Sequence, residues 1–437
     1  MVFLNRMSSV FRRAENFYRE QTGQSLVLVF VLFLLSVLAQ IVFRRELAPG
    51  EFGTLNTVLG LIGLMTVPVI AVDRALAWYL SRIHAPARDH SLVALRDASL
   101  PILEMSAWAW AALTLVLLFP VLSLLDLPRF SLGLFALLNI FIALAGVVSG
   151  AICDQLRQAR FWAGLLLAAA VIRLLAGGLL AHYEPWSESV LAAFILGGFI
   201  ILVPVLRQAP IEIEARIRAV QAILDRDFLI YLGATFSVLL AVFLFSSADR
   251  IIAQSWFGSP SPDNAGTLKD YVNWPAFDAY QSAGLLGRSL LWGTQPLLLI
   301  FFAQRSRLEK STSASLLWFW IYLGALITGV ILLILLRQPV SRWFCGTDFA
   351  PTAGLVPVFA LAMIPLGLLH GLSFFALASR RYPECFVLGG CSIGYALLLY
   401  LVGRQPQLMP AYMFGGGMVT VMIVLFVGVV RWGRKQP

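Results

Sequence analysis

The sequence predicts an all-α polytopic membrane protein of twelve transmembrane helices, arranged as two six-helix lobes with both termini in the cytoplasm. Three observations predict it. Of 437 residues, 59% are hydrophobic and 13% charged, a balance far more apolar than soluble domains show. Cutting the chain at Asp, Glu, Lys and Arg leaves eleven charge-free runs of 16 or more residues, and about 20 apolar residues cross a bilayer core. A twelfth run, 161–183, is broken only by Arg173. Finally, Lys and Arg alternate in density between successive loops, 21 on one set against 8 on the other. The basic set includes both termini, so the positive-inside rule places these in the cytoplasm. The net charge of +9 is thereby explained by topology, and nucleic acid is not a partner.

In chain order, residues 1–23 place Phe3, Met7, Val10, Ala14 and Phe17 between Arg6, Arg12, Arg13 and Arg19. This is an amphipathic cytoplasmic segment lying on the inner leaflet. The first half, 24–206, holds spans near 24–43, 54–80, 102–122, 131–152, 161–182 and 189–206. A mixed-charge stretch, 207–227, is a cytoplasmic linker. The second half, 228–430, holds spans near 228–248, 279–303, 315–336, 353–378, 385–402 and 409–430, and 431–437 is a basic cytoplasmic tail. The first span is of full length and runs into Arg44 and Arg45 without a small-residue cleavage pattern, so it is read as retained. Of the four cysteines only Cys345 is expected outside, which implies no structural disulfide.

The halves read as parallel repeats, because short patterns recur at similar offsets. Gly150 precedes Arg160-Phe161 by ten residues as Gly371 precedes Arg381-Tyr382, and Pro68 of the second span matches Pro296 of the eighth. The two prolines are the candidate gating hinges. The tract 43–63, FRRELAPGEFGTLNTVLGLIG, interrupts the apolar chain only briefly. It reads as a tight outer turn that binds nothing itself: Pro49 ends the first helix, Gly50 and Gly53 permit the reversal, and Glu51 and Phe52 reseat the chain at the interface.

No catalytic or metal-binding set stands out. His84, His90, His182 and His370 are scattered, and there is no CxxC, HExxH or phosphate-binding glycine loop. The run Gly415–Gly417 is read as helix packing. The candidates therefore come from the cost of placing charge in a membrane, roughly 2.5–3.5 kcal/mol for a central arginine. Arg173 has Ala169, Ala170, Ala176 and Gly177 as its helical neighbours. It either faces protein or a water-filled cavity, or is a structural arginine paired with carbonyls. Arg288 shares a stripe with Gln281, Gly284, Trp292 and Gln295; it either looks inward or snorkels to the outer interface. Asn56, Gly60 and Gly63 form a matching polar or small face, and these two spans could wall a cavity between the halves. Asp73-Arg74 near one end of the second span and Asp249-Arg250 at the outer end of the seventh read as interfacial pairs or as ionisable functional groups. His370 is either a helix-packing donor or a titrating group.

The tract ELAPGEFGTLN, with Leu47, Pro49, Glu51, Phe52 and Gly53, resembles the loop between the first two spans of bacterial polysaccharide and oligosaccharide flippases, a branch of the multidrug/oligosaccharidyl-lipid/polysaccharide exporter superfamily. DRIIAQSWFG resembles the family's Asp-Arg after the seventh span, DAYQSAGLLGRSLLWGTQPLLLIFFAQRSR its eighth span, and GAICDQLRQARFW its fourth-to-fifth connection. The resemblance implies two lobes forming a V around a cavity open alternately to each side of the bacterial inner membrane. It implies a polyprenyl-pyrophosphate-linked oligosaccharide as cargo, for surface polysaccharides such as O-antigen or exopolysaccharide. Membrane lipids and other polysaccharide-assembly proteins would be its surroundings and partners. By motif it carries Arg250 and Arg288 to the pyrophosphate; Arg173 follows from burial cost. Arginine's fork of donors suits phosphate oxygens. The expected polar cavity thus comprises Arg173, Arg250, Arg288, Asn56, Gln281 and Gln295, without cofactor. Coupling to a proton or sodium gradient follows by analogy, with Asp73, Asp249 and His370 the candidate ligands. The outer loop 259–278 is longer than the family's usual turn, and with Tyr271 and Trp274 either covers the outer mouth or is a disordered insertion.

The nearest rival is a multidrug or cation antiporter of the same superfamily. Many of those place an acidic residue in the first span, and 21–43 contains none. A lipid-linked sugar polymerase or ligase would need a long outer loop with clustered Arg and His, which 249–278 lacks. A non-transporting scaffold protein in envelope assembly is the remaining alternative. The expectation is a transporter and not an enzyme.

Overall fold

A computed structural model describes residues 21–83, 91–124, 130–155, 159–206, 226–257, 274–307, 312–403, 405 and 407–433. Nearly all are helical. α1 is Gln21–Glu46, α2 Glu51–Ile83, α3 Ser91–Leu124, α4 Phe130–Gln155, α5 Ala159–Tyr183 and α6 Ser187–Ile201, extended after a break at Leu202 by one turn, Val203–Leu206. Then come α7 Arg226–Phe257, α8 Trp274–Arg307, α9 Thr312–Leu335, α10 Arg337–Cys345, α11 Ala350–Ala378, α12 Tyr382–Val402 and α13 Met409–Gly433. Each of the twelve expected spans coincides with a helix. The amphipathic segment falls outside the described residues up to residue 20, the linker over 207–225 and the long loop over 258–273.

Among the described residues, nine helices are long and apolar enough to cross a membrane: α1 to α5, α7, α11, α12 and α13. A tenth arises if α9 and α10, bent by 79° at their junction, form one broken span. The turn has a local cause. Apolar α9 stops at Leu335, and after Leu336 the nine residues RQPVSRWFC bring two arginines and a proline. α10 buries Ser341, Phe344 and Cys345 while Trp343 stays exposed, the one-sided pattern of an amphipathic helix. α6 has 15 residues, short for a span. α8 carries Asp278, Arg288, Arg305 and Arg307 along its length.

The outer surface confirms the solvent these helices are built for. On α1, Val27, Phe30, Leu34 and Leu38 are all exposed, one stripe at steps of three and four residues. Trp108, Leu175, Leu397 and Phe426 are exposed in the same way on other helices. Water would drive such surface together; hydrocarbon does not.

The helices pack in two groups, α1–α6 and α7–α9 with α11–α13. Within the first group α1 packs on α5, α2 on α3 and α4, α4 on α3 and α6, and α5 on α6. The same set recurs in the second: α7 on α12, α8 on α9 and α11, α11 on α9 and α13, and α12 on α13. The groups meet where α2 lies along α7 and where α1 and α2 touch α8. Glycine makes the long α2–α7 contact close. A Cβ on Gly63 would stand 2.6 Å from the Phe243 ring, and one on Gly53 would stand 2.2 Å from the ring of Phe277 on α8. Gly53 therefore serves helix packing and not the chain reversal; Gly50, at φ 86°, makes the turn.

Candidate functional site

Three arginines, Arg250 and Arg288 buried and Arg173 half-buried, each lie across a glycine, because a guanidinium needs space that a helix surface gives up only where a side chain is missing. Arg250 of α7 crosses α2 at Gly60, where a Cβ would be 2.6 Å from its Nε. Arg173 of α5 crosses α6 at Gly197, where a Cβ would be 2.9 Å from its Cγ. Arg288 lies over Gly284 of its own helix, 2.9 Å from Nη2 to the position of a Cβ.

Their partners differ. Arg288 is fully buried, and its Nη1 donates to both oxygens of Asp249, at 2.8 and 3.0 Å. The Tyr280 hydroxyl donates to the same carboxylate at 3.2 Å. Arg288 therefore neither snorkels nor faces a cavity; it sits in the core of the second group as half of a buried ion pair. Asp249-Arg250 is not at the end of the seventh helix either. α7 runs on to Phe257, and the two residues are 1% and 7% exposed within it. Being consecutive on a helix they point apart, Asp249 to Arg288 and Arg250 to α2.

The guanidiniums of Arg250 and Arg173 make no ion pair or hydrogen bond with another described residue, and the Nε of each is buried without a partner. Arg173 stacks over the Phe194 ring at 5.1 Å. Both line a cavity of about 400 Å³ between the two groups of helices. Gln40, Asn56 and Phe194 line its first-group wall, and Ser289, Trp292 and Gln295 its second-group wall. Among the described residues, no Asp or Glu lines it. The site is thus a small, largely apolar chamber holding two cations from opposite walls, whose electrostatics favour an anion.

Asn56 turns its Nδ2 to the carbonyl of Phe52 at 2.9 Å and leaves Oδ1 buried without a partner. Gln295 lines the chamber as well, whereas Gln281 is wholly buried beside it, donating to the carbonyl of Arg250 at 3.0 Å. Pro68 and Pro296 lie inside α2 and α8, each removing one helical hydrogen bond. Of the candidate ion ligands, Asp249 is taken by Arg288, Asp73 stands 3.7 Å from Arg74, and His370 meets the carbonyl of Val242 through Nε2 at 3.1 Å, a packing contact between α11 and α7. Asp73 and Arg74 line a second pocket inside the first group, and Arg173 borders both pockets.

The turn after α1 is richer than its sequence suggests. Glu51 is 2% exposed and caps α6, accepting from the backbone N–H and the hydroxyl of Ser187 at 2.9 and 2.8 Å. Asp278 of α8 accepts from the N–H groups of Gly50 and Gly53, both at 2.8 Å. Phe52 is fully buried against Phe344. Glu51 and Phe52 are therefore not interfacial anchors, and the turn is fastened to the rest of the protein. Cys345, expected to face outward, is buried with its Sγ 3.4 Å from the Thr352 hydroxyl. Neither Asp278 nor Ser187 was singled out by sequence; an acid at an expected span boundary was the available signal for the first.

The fold has solved counterparts. The chain is similar to the lipid II flippase MurJ in an inward closed conformation, at TM-score 0.62 and 12% identity over 92% of this chain and 86% of that one. It is similar to a multidrug resistance MATE family transporter of the MOP superfamily in its inward-facing conformation, at TM-score 0.58 and 12% identity, covering 93% and 96% of the two chains. An outward-facing structure of a MATE family transporter matches at TM-score 0.52 and 13% identity, covering 96% and 98%. No protein-family model and no curated protein matches the sequence. At such identities the likeness establishes the fold, that of MOP superfamily flippases and transporters.

Proposed function

We propose that this protein is a flippase that carries a polyprenyl-pyrophosphate-linked oligosaccharide across the bacterial inner membrane for surface polysaccharide synthesis. In this reading the two groups of helices are lobes of a twelve-span protein with cytoplasmic termini, and they open the chamber alternately to each side. The membrane supplies the lipid-linked cargo and takes it back, and polysaccharide-assembly enzymes on either side make and consume it.

The observation that carries the proposal is the chamber with Arg173 and Arg250 on opposite walls and no carboxylate in its lining. Two guanidiniums without counter-ions, in surroundings of low dielectric, attract a pyrophosphate far more strongly than the same groups would in water. A cation exporter would need the opposite sign, which weighs against the multidrug reading. Arg288 drops out as a direct ligand, since Asp249 already neutralises it.

The test is flipping of a fluorescent polyprenyl-pyrophosphate saccharide in proteoliposomes, followed for wild type, Arg250→Gln and Arg173→Gln. Flipping by wild type that falls at least severalfold in each variant is the expected result. Undiminished flipping in both variants would sink the cationic-chamber mechanism. Export of small organic cations without any flipping of lipid-linked saccharides would move the protein to the multidrug branch.

A further inference from the structure

The seam between the two groups of helices is not uniform along its length. At one end, residues 44–57 make a set of hydrogen bonds across it to α7 and α8, and one to α10, which packs on α11. Gly50 N–H and Gly53 N–H donate to Asp278 at 2.8 Å, Arg44 Nε donates to Ser282 Oγ at 3.1 Å, and Arg45 donates to the carbonyl of Trp343. Thr57 Oγ1 donates to the carbonyl of Arg250 at 3.0 Å, and Arg44 Nη1 stands 3.8 Å from Asp278. The same tract is fastened to its own group by Ala48 N–H on the carbonyl of Pro185 at 2.9 Å and by Glu51 on Ser187. One end of the bundle is therefore tied across the seam. Further along, α2 and α7 touch through Gly63 and Phe243.

The chemistry of the tie is unusual for permanent packing. A seam meant to stay shut is most cheaply filled with apolar side chains, since a buried ion pair is weak evidence for stability. Here a carboxylate of one group caps the first helix turn of the other. Asp278 satisfies two N–H groups that a helix start leaves unpaired, and its charge suits the positive end of the α2 dipole. If the groups part at this end, water replaces every one of these bonds: each is made by a group that hydrates well. Apolar packing broken in the same way would expose hydrocarbon.

We propose that Asp278, with Arg44, is the latch of a gate. The carboxylate of α8 grips the N-terminus of α2 and the guanidinium of α1, and holds this end of the chamber closed. Releasing it lets α1 and α2 part from α8 and opens the chamber toward the side where the 44–57 tract lies, the outer face by the distribution of basic residues. The proposal rests on the alternating-access part of the flippase reading and not on the identity of the cargo. It assigns a role in motion to two residues that touch no cargo in this state.

The charged groups around Asp278 set the strength of the latch. Arg44 opposes it directly, and Glu51 lies beside it as a like charge. Arg45 and Asp348 share with it a pocket at this end of the seam. Asp278 itself is 1% exposed, so hydration of the latch must follow movement and cannot precede it.

The experiment uses the full chain with Cys153, Cys345, Cys385 and Cys391 changed to serine and Thr57→Cys as the reporter. Thr57 is fully buried at the crossing of α2 and α7. In sealed right-side-out vesicles a membrane-impermeant maleimide should label this reporter slowly. Adding Asp278→Asn or Arg44→Gln should raise the labelling rate severalfold, and Glu51→Gln, which loosens the tie within the first group and removes a like charge beside Asp278, should not raise it above the parent rate. Parental labelling in both latch variants, at parental abundance in the membrane, would overturn the proposal. So would an equal rise with Glu51→Gln, because the effect would then be general loosening. No cargo enters this assay. A latch that behaves as stated in a chain that flips no lipid-linked saccharide would retain the gate and discard the cargo.

Discussion

Arg288 and Arg250 are both buried in helices of the same half, yet one has a carboxylate and the other has none. Arg288 is gripped by Asp249 inside a single group of helices, while Arg250, the neighbour of that same aspartate, is turned across the seam into the chamber. The difference separates two uses of a membrane arginine. Where the charge is matched, it ties α8 to α7. Where no carboxylate hydrogen-bonds it, burial is offset only by Asp249 acting at a distance and opposed by the like charge of Arg288, and a bound anion is the natural counter-ion. Arg173 repeats the unmatched pattern from the opposite wall.

The largest effect should come from breaking the matched pair. Arg288→Ala leaves Asp249 buried with only Tyr280 to hydrogen-bond it, and should cost about 3–5 kcal/mol, read as a fall in thermal unfolding midpoint in detergent or as loss of the protein from the membrane. The double change Asp249→Leu, Arg288→Met should recover most of it, since removing both charges is often neutral or stabilising. If the double variant were as unstable as the single one, the pair would not be the reason for the loss.

Arg250→Gln should behave in the opposite way. Stability should stay within about 1 kcal/mol of wild type or rise, because an uncompensated buried charge is removed. Transport should fall about tenfold, the value of one charge-assisted bond of roughly 1.4 kcal/mol. An Arg250→Gln protein as unstable as Arg288→Ala would erase the distinction between the two residues.

The smallest effect sharpens the geometry. Gly60→Ala places a methyl 2.6 Å from the Arg250 Nε, and the end of a flexible side chain can yield. The expected cost is about 1 kcal/mol, together with a partial loss of transport as the guanidinium is displaced. An alanine with no effect on transport would mean that the position of Arg250 along α2 is immaterial.

Much of the fold was legible because the bilayer enforces it. A backbone in hydrocarbon must satisfy its own hydrogen bonds, so charge-free runs near 20 residues become helices wherever they occur. The places where sequence reading went astray are those where a polar residue near a span boundary found a partner far along the chain. Asp249 and Arg288 are 39 positions apart, and Gly50 and Asp278 are 228 apart. Asp249 looked like an interfacial group because its partner was invisible, and Asp278 drew no reading for the same reason. The glycines under Arg250 and Arg173 were equally hidden, for Gly60 and Gly197 lie on other helices. The amphipathic α10 and its 79° bend from α9 escaped notice because QPVSRWFC is too short for periodicity to declare itself.

Composition and the period of its charges determined by themselves that this chain is helical, lies in a membrane and carries a few arginines whose burial demands a reason. These are properties of each segment in its solvent, and each segment meets the solvent alone. Which arginine is neutralised and which faces the chamber was decided only by tertiary structure, as was the meeting of the 44–57 tract with Asp278. Pairing energy depends on distance and shielding between groups that the chain order keeps far apart.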